Sequence, residues 1–182
     1  DATDEYDHYL SSPESLQEKE ALVLIDSASS IIVKVPVEPY YKNGRLDTLE
    51  ISIEDWKIKG KGKTYYFGYM KENVLEAIEA TLPDKRNEFY RSLINIGNNK
   101  SEYAQVAYHE INDTALIISY DFLLPDYFTP FENKFYLNPH LFKMGMDDYN
   151  LDSSHVHPVE FKYLSFFKHV VIVNMDGITV SD

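Results

Sequence analysis

From Trp56 to Tyr66 the sequence alternates with a period of two. Trp56, Ile58, Gly60, Gly62, Thr64 and Tyr66 fall on one side, and Lys57, Lys59, Lys61 and Lys63 on the other. That is the spacing of a β-strand, whose successive side chains point to opposite faces. The lysine side must meet solvent, because such charges are almost never buried unpaired. Leu49, Ile51 and Ile53 alternate with Thr48, Glu50 and Ser52 just upstream, as a second half-buried strand requires.

The rest of the chain is organised around these strands. Ala21-Leu22-Val23-Leu24-Ile25 and Ile31-Ile32-Val33-Lys34-Val35 are short apolar runs separated by Asp26-Ser27-Ala28-Ser29-Ser30, which predicts a hairpin. Asn43-Gly44 predicts another, since both residues tolerate the positive φ of a type I′ turn. The period then lengthens. Val74, Leu75, Ile78 and Leu82 predict a helix over 72–82, and Phe89, Leu93 and Ile96, flanked by Tyr90 and Ile94, predict a second over 84–96 with Gly97 as its C-terminal cap. Beyond Asn98-Asn99-Lys100-Ser101 the chain reads as strands. These run through Val106 and Tyr108, through Leu116, Ile118, Tyr120 and Phe122, through Phe135-Tyr136-Leu137, and through Val159, Phe161 and Tyr163. The unbroken run Val170-Val171-Ile172-Val173 suits a strand covered on both faces.

The expected fold is therefore mainly β, α+β overall. A β sheet covered by a helical pair spans 21–97, an antiparallel β sandwich spans 101–182, and acid-rich residues 1–20 form a linker. Fifteen Tyr and ten Phe support the strand reading, because aromatic side chains fit a pleated surface. A formal net charge of -13 argues against nucleic acid or an anionic membrane as the main partner. The absence of cysteine excludes a disulfide framework, a thiolate metal site and a Cys nucleophile within the chain. No apolar run approaches the length of a membrane-spanning helix. The chain does not begin with Met, and it is expected to be a fragment or a processed product.

Several groups invite a chemical reading. His155 and His157 sit two apart and could ligate a metal with His8, His140 or Asp152, but Pro158 follows and no partner stands at a fixed spacing, so an ordinary surface pair is expected. The four lysines could grip an anion; as one solvent face they also discourage sheet-to-sheet aggregation. Tyr40-Tyr41, Tyr65-Tyr66 and Tyr136 could stack on sugar rings, against the plainer role of filling a β core. Asp147, Asp148 and Asp152 lack the central Gly and closing Glu of a calcium loop. No G-x-S-x-G elbow supports a serine hydrolase. Asn99-Lys100-Ser101 and Asn112-Asp113-Thr114 match the glycosylation acceptor pattern, which bears on a secreted eukaryotic protein only. No catalytic, cofactor-binding or metal-binding residue is assigned.

Two stretches carry a resemblance. Asp1-Ala2-Thr3-Asp4-Glu5-Tyr6 resembles the segment that ends the core of transglutaminase-like proteins, in which the position of Asp1 completes a Cys-His-Asp triad. The run from Leu116 to Tyr127, continued by Lys134-Phe135-Tyr136-Leu137-Asn138-Pro139 and the segment from Pro158 to Val173, is similar to the domain of unknown function at the C-terminus of large transglutaminase-like proteins of the bacterial envelope. The resemblance implies a non-catalytic accessory domain with no cofactor, located in the periplasm or cell envelope. Its implied partner is the upstream core of the same polypeptide, a cysteine-protease-like unit whose triad Cys and His lie outside this chain, and a protein or peptide substrate is a further partner. The rival expectations are a stand-alone sugar- or peptide-binding module, marked by an exposed aromatic patch, and a hydrolase with a pair of converging acids.

Overall fold

The computed structural model of the chain describes residues 12–94, 96–97, 100–111, 114–131, 134–142 and 161–174. The first strands, β1 (Glu20–Leu24) and β2 (Ser30–Lys34), form the expected antiparallel hairpin and pair only with each other. The two alternating segments become β3 (Gly44–Glu54) and β4 (Lys57–Phe67), antiparallel with Asp47 opposite Thr64. Two helices follow, α1 (Tyr69–Ala80) and α2 (Arg86–Leu93). Then come β5 (Glu102–Ile111), β6 (Ala115–Leu124), a short hairpin of β7 (Thr129–Phe131) and β8 (Lys134–Tyr136), and last β9 (Phe166–Asn174).

Five of these strands make one sheet in the order β5-β6-β4-β3-β9. Every pair is antiparallel except β3 and β9, which run parallel. The fold is thus mainly β with two short helices. Alternation decides the sheet's inner face. Leu49, Ile51, Ile58, Leu116, Ile118 and Leu124 are all buried there, and Ile78 of α1, Tyr90 of α2, Ile94, Ile96, Leu141 and Phe142 cover them. Tyr90 stacks on Tyr108 of β5 at 5.7 Å between ring centroids. Gly62 is required opposite Tyr120, since a Cβ at 62 would overlap the tyrosine ring.

Several expectations are corrected. The boundary at 98–101 does not separate two sheets, because β6 from beyond it hydrogen-bonds to β4 from before it. Among the described residues no second sheet faces β5 and β6 as a sandwich would; α2 and the Leu141–Phe142 segment take that place. A strand with one apolar face shows only that it needs a cover, and a helix serves as well as a sheet. The hairpin expected at Asn43-Gly44 lies instead at Asp55-Trp56, where φ is +48° and +61° and the two residues link β3 directly to β4. Asn43 and Gly44 open β3 and fasten its neighbours. The Asn43 carbonyl accepts from the Phe166 N–H at 3.0 Å, and its side-chain Oδ1 accepts from the Tyr69 N–H at 3.2 Å. A Cβ on Gly44 would overlap the Phe166 carbonyl, so this glycine is there for close approach.

Helix α2 ends at Leu93 with Ile94 as its cap, and the Gly97 N–H donates instead to the Leu141 carbonyl at 2.7 Å. Leu82 lies outside α1 and is exposed. Residues 161–165 form no strand. Lys162 pairs with Glu14 at 2.6 Å and Tyr163 packs on Tyr69 of α1, so side-chain contacts hold the segment where a ladder was expected. Strand β9 is an edge strand and not a doubly covered one, with Phe167 46% and Ile172 50% exposed.

Because β6 lies between β5 and β4, Leu116→Asp, Ile118→Asp or Phe122→Asp is expected to unfold the whole sheet, each by more than about 4 kcal/mol. Urea unfolding followed by circular dichroism and by Trp56 fluorescence should lose both signals together; retention of a cooperative transition by all three variants would contradict the topology.

Candidate functional site

The most polar part of the interior lies where β3, β4 and β9 meet. The parity that buries Leu49 and Ile51 also turns Asp47 and Arg45 inward, and the register sets Thr64 and His169 on either side of Asp47. The Asp47 carboxylate is 0% exposed. It accepts from Arg45 Nε at 3.0 and 2.8 Å through its two oxygens, and from the Thr64 hydroxyl at 2.6 Å. The Arg45 guanidinium lies over the rings of Tyr66 and Phe142 at 5.5 and 5.9 Å. His169 Nδ1 stands 3.1 Å from Asp47 Oδ2, but neither ring nitrogen makes a well-aligned hydrogen bond to a described residue.

Phe142 stacks on His169 at 4.3 Å, and His140 meets the same ring edge-on at 5.9 Å. With Pro139, Leu141 and Val171 these residues line a cavity of about 260 Å³. Both His169 nitrogens are buried, so the ring walls the cavity without presenting them. Burial lowers the His169 pKa; Arg45 and His140 reinforce this, and Asp47 opposes it. Burial also raises the hydroxyl pKa of Tyr66 and Tyr120, neither of which has a partner among the described residues. The Thr64 hydroxyl donates to Asp47, whose carboxylate is also held by Arg45. The cluster therefore resembles a catalytic Asp-His pair in composition and brings together residues of three strands.

Among the described residues nothing covers the sheet's other face. Lys57, Lys59, Lys61 and Lys63 are exposed on it, as the alternation predicts, and Lys59 pairs with Glu54 at 2.5 Å. Two adjoining grooves of about 560 and 570 Å³ cross it and share Glu50, Lys61 and Asp121. The β1–β2 hairpin stands apart from the sheet and is apolar on both of its faces.

The tyrosines do not form one platform. Tyr66 is core, Tyr65 borders a groove of the open face, Tyr40 and Tyr41 are exposed on the turn before β3, and Tyr136 is exposed on β8. Asp1, His8, Asn99, Asn112, Asp147, Asp148, Asp152, His155 and His157 lie outside the described residues. Among those described, no group of three His, Asp or Glu is placed to hold a metal ion, and no helix is long and apolar enough to cross a membrane. The sequence reading missed Asp47, Arg45 and Thr64. Their signal was parity, since they are polar residues on the side of the strand that the neighbouring aliphatics mark as buried. No protein-family model, curated protein or solved structure matches the chain.

Arg45→Leu leaves the Asp47 charge buried without its cation and is expected to cost about 3–5 kcal/mol in chemical denaturation, with much of the loss recovered in Arg45→Leu/Asp47→Leu. The depressed His169 pKa means that the unfolded chain takes up this proton more readily. Its contribution is present above the unfolded value near 6.5 and is lost as pH falls below it. Stability should drop as pH falls below about 6.5, and His169→Gln should flatten that slope; an unchanged slope would show that His169 does not carry it.

Proposed function

We propose that this chain is a non-catalytic accessory domain that docks, through the β1–β2 hairpin, on the transglutaminase-like core of a larger polypeptide. One observation carries the reading. Leu22, Leu24, Ile25 and Ile32 are 67%, 75%, 63% and 67% exposed on a hairpin that pairs with no third strand among the described residues. An isolated two-stranded hairpin is at best marginally stable in water, and contiguous apolar surface of this kind marks a protein interface. Burying each aliphatic side chain against a partner contributes about 1.5–3 kcal/mol. The tip, Asp26 to Ser30, is polar, so the flanks of the hairpin and not its end meet the partner.

The identity of that partner rests on the resemblance. The core-ending segment Asp1–Tyr6 precedes the hairpin closely in sequence, which favours the upstream core as its cover, with a protein or peptide substrate presented beside it. Having no cysteine, the chain supplies no thiolate to the reaction. The same resemblance favours the periplasm or cell envelope as its location.

The test is the intact mass of the native polypeptide, read with an antibody against this segment. The expected species is much larger than 21.2 kDa and carries the Cys and His upstream. In that protein Leu22→Lys/Ile32→Lys should expose the hairpin to protease while the five-stranded sheet stays folded. A native species of about 21.2 kDa would refute the accessory role.

A further inference from the structure

We propose that the open face of the five-stranded sheet is a binding site for an uncharged oligosaccharide. The proposal is independent of the docking role, since no hairpin residue lines either groove. Each groove falls within the roughly 300–1,000 Å³ of small-ligand sites, and because the two adjoin, the face suits a chain of rings better than a single ring. Short side chains line the hollows on the strands beside the lysines, with Ser52 opposite Lys59, Ser119 opposite Lys63 and Ala104 opposite Asp121. At the edge, β5 slips its register between Ala104 and Ala107, with Gln105 at φ +50°; a bulge of this kind bends and twists the strand beside the grooves.

The chemistry of the shared floor selects the ligand. Glu50, Lys61 and Asp121 are consecutive across three strands, Glu50 opposite Lys61 and Lys61 opposite Asp121. They are cross-strand neighbours, yet no side-chain ion pair or hydrogen bond joins any of them to another described residue, in contrast to Lys59 and Glu54. The floor therefore offers two acceptors flanking a cation that donates. A peptide or polymer of one charge sign would be repelled by one member of such a row. A sugar hydroxyl both donates and accepts, so adjacent hydroxyls can satisfy carboxylate and ammonium together. Thr48, Ser119 and Gln105 add neutral partners along the second groove, and Tyr65 borders it with an aromatic side chain suited to the apolar face of a sugar ring.

The experiment is an array of neutral and charged glycans probed with the full chain, followed by calorimetric titration of each neutral binder. Lys61→Met and Asp121→Asn are compared with the wild type, and Ile32→Lys serves as a control on the hairpin. Lys61 is exposed, so its replacement should leave the thermal transition unchanged; it decides the matter if Asp121→Asn is destabilised. At least one neutral glycan should bind, about tenfold or more weakly in each groove variant and unchanged in the control. Failure of every neutral glycan to bind, binding that survives both groove substitutions, or binding confined to charged glycans or peptides would each overturn the proposal. Failure of the hairpin test would leave these outcomes untouched.

Discussion

A carboxylate with no access to water must find its compensation inside the protein, and Asp47 finds it on two strands, with a third packed against it. Arg45 reaches it from its own strand, Thr64 from β4, and His169 stands against it from β9. Desolvating such a group costs several kcal/mol unless the geometry answers it, so each partner is tied to one register. A slip of one residue in β3 would turn Asp47 to solvent and Leu46 and Thr48 to the core. The buried polar row is therefore better understood as a device for specifying the sheet than as a source of net stability. It matters most for β9, an edge strand whose parallel pairing with β3 has no short connection to enforce it.

With that row fixed, the faces of the sheet diverge. The inner face is closed by α1, α2 and the segment carrying Leu141 and Phe142, and it holds nearly all the large buried side chains. The outer face keeps its charges in water and its grooves open. The apolar hairpin lies off the sheet altogether. The surfaces proposed for docking and for ligand binding therefore both lie outside the core that holds the buried polar row.

Much of this was legible in the sequence where a pattern was strong and local. The alternations through β3, β4 and β6, the hairpin of β1 and β2, and the change to helical spacing near α1 all appear in the structure, because one buried face imposes a period on a single segment. The solvent position of the four lysines followed from the same rule. The polar cluster was hidden because Arg45 and Asp47, Thr64 and His169 come from three separate stretches of the chain, and parity marks each as inward without showing that they meet. Asn43-Gly44 misled for a different reason. Tight turns and tight packing both favour glycine, and only the position of Phe166 against Gly44 distinguishes them.

The sequence by itself determined which segments extend, which coil and which side of each strand turns inward, because those are properties of neighbouring residues and the geometry of the backbone. It also settled that no thiolate chemistry can originate here, since the chain has no cysteine. Only the tertiary structure decided which strands meet. It joined β4 to β6 across the expected boundary, placed β9 parallel to β3, and left the first hairpin without a cover among the described residues. Alternating strands are interchangeable as far as their own pattern goes. Pairing is chosen by contacts between residues far apart in sequence, and a buried carboxylate with partners on two strands and a third packed against it makes such a choice specific.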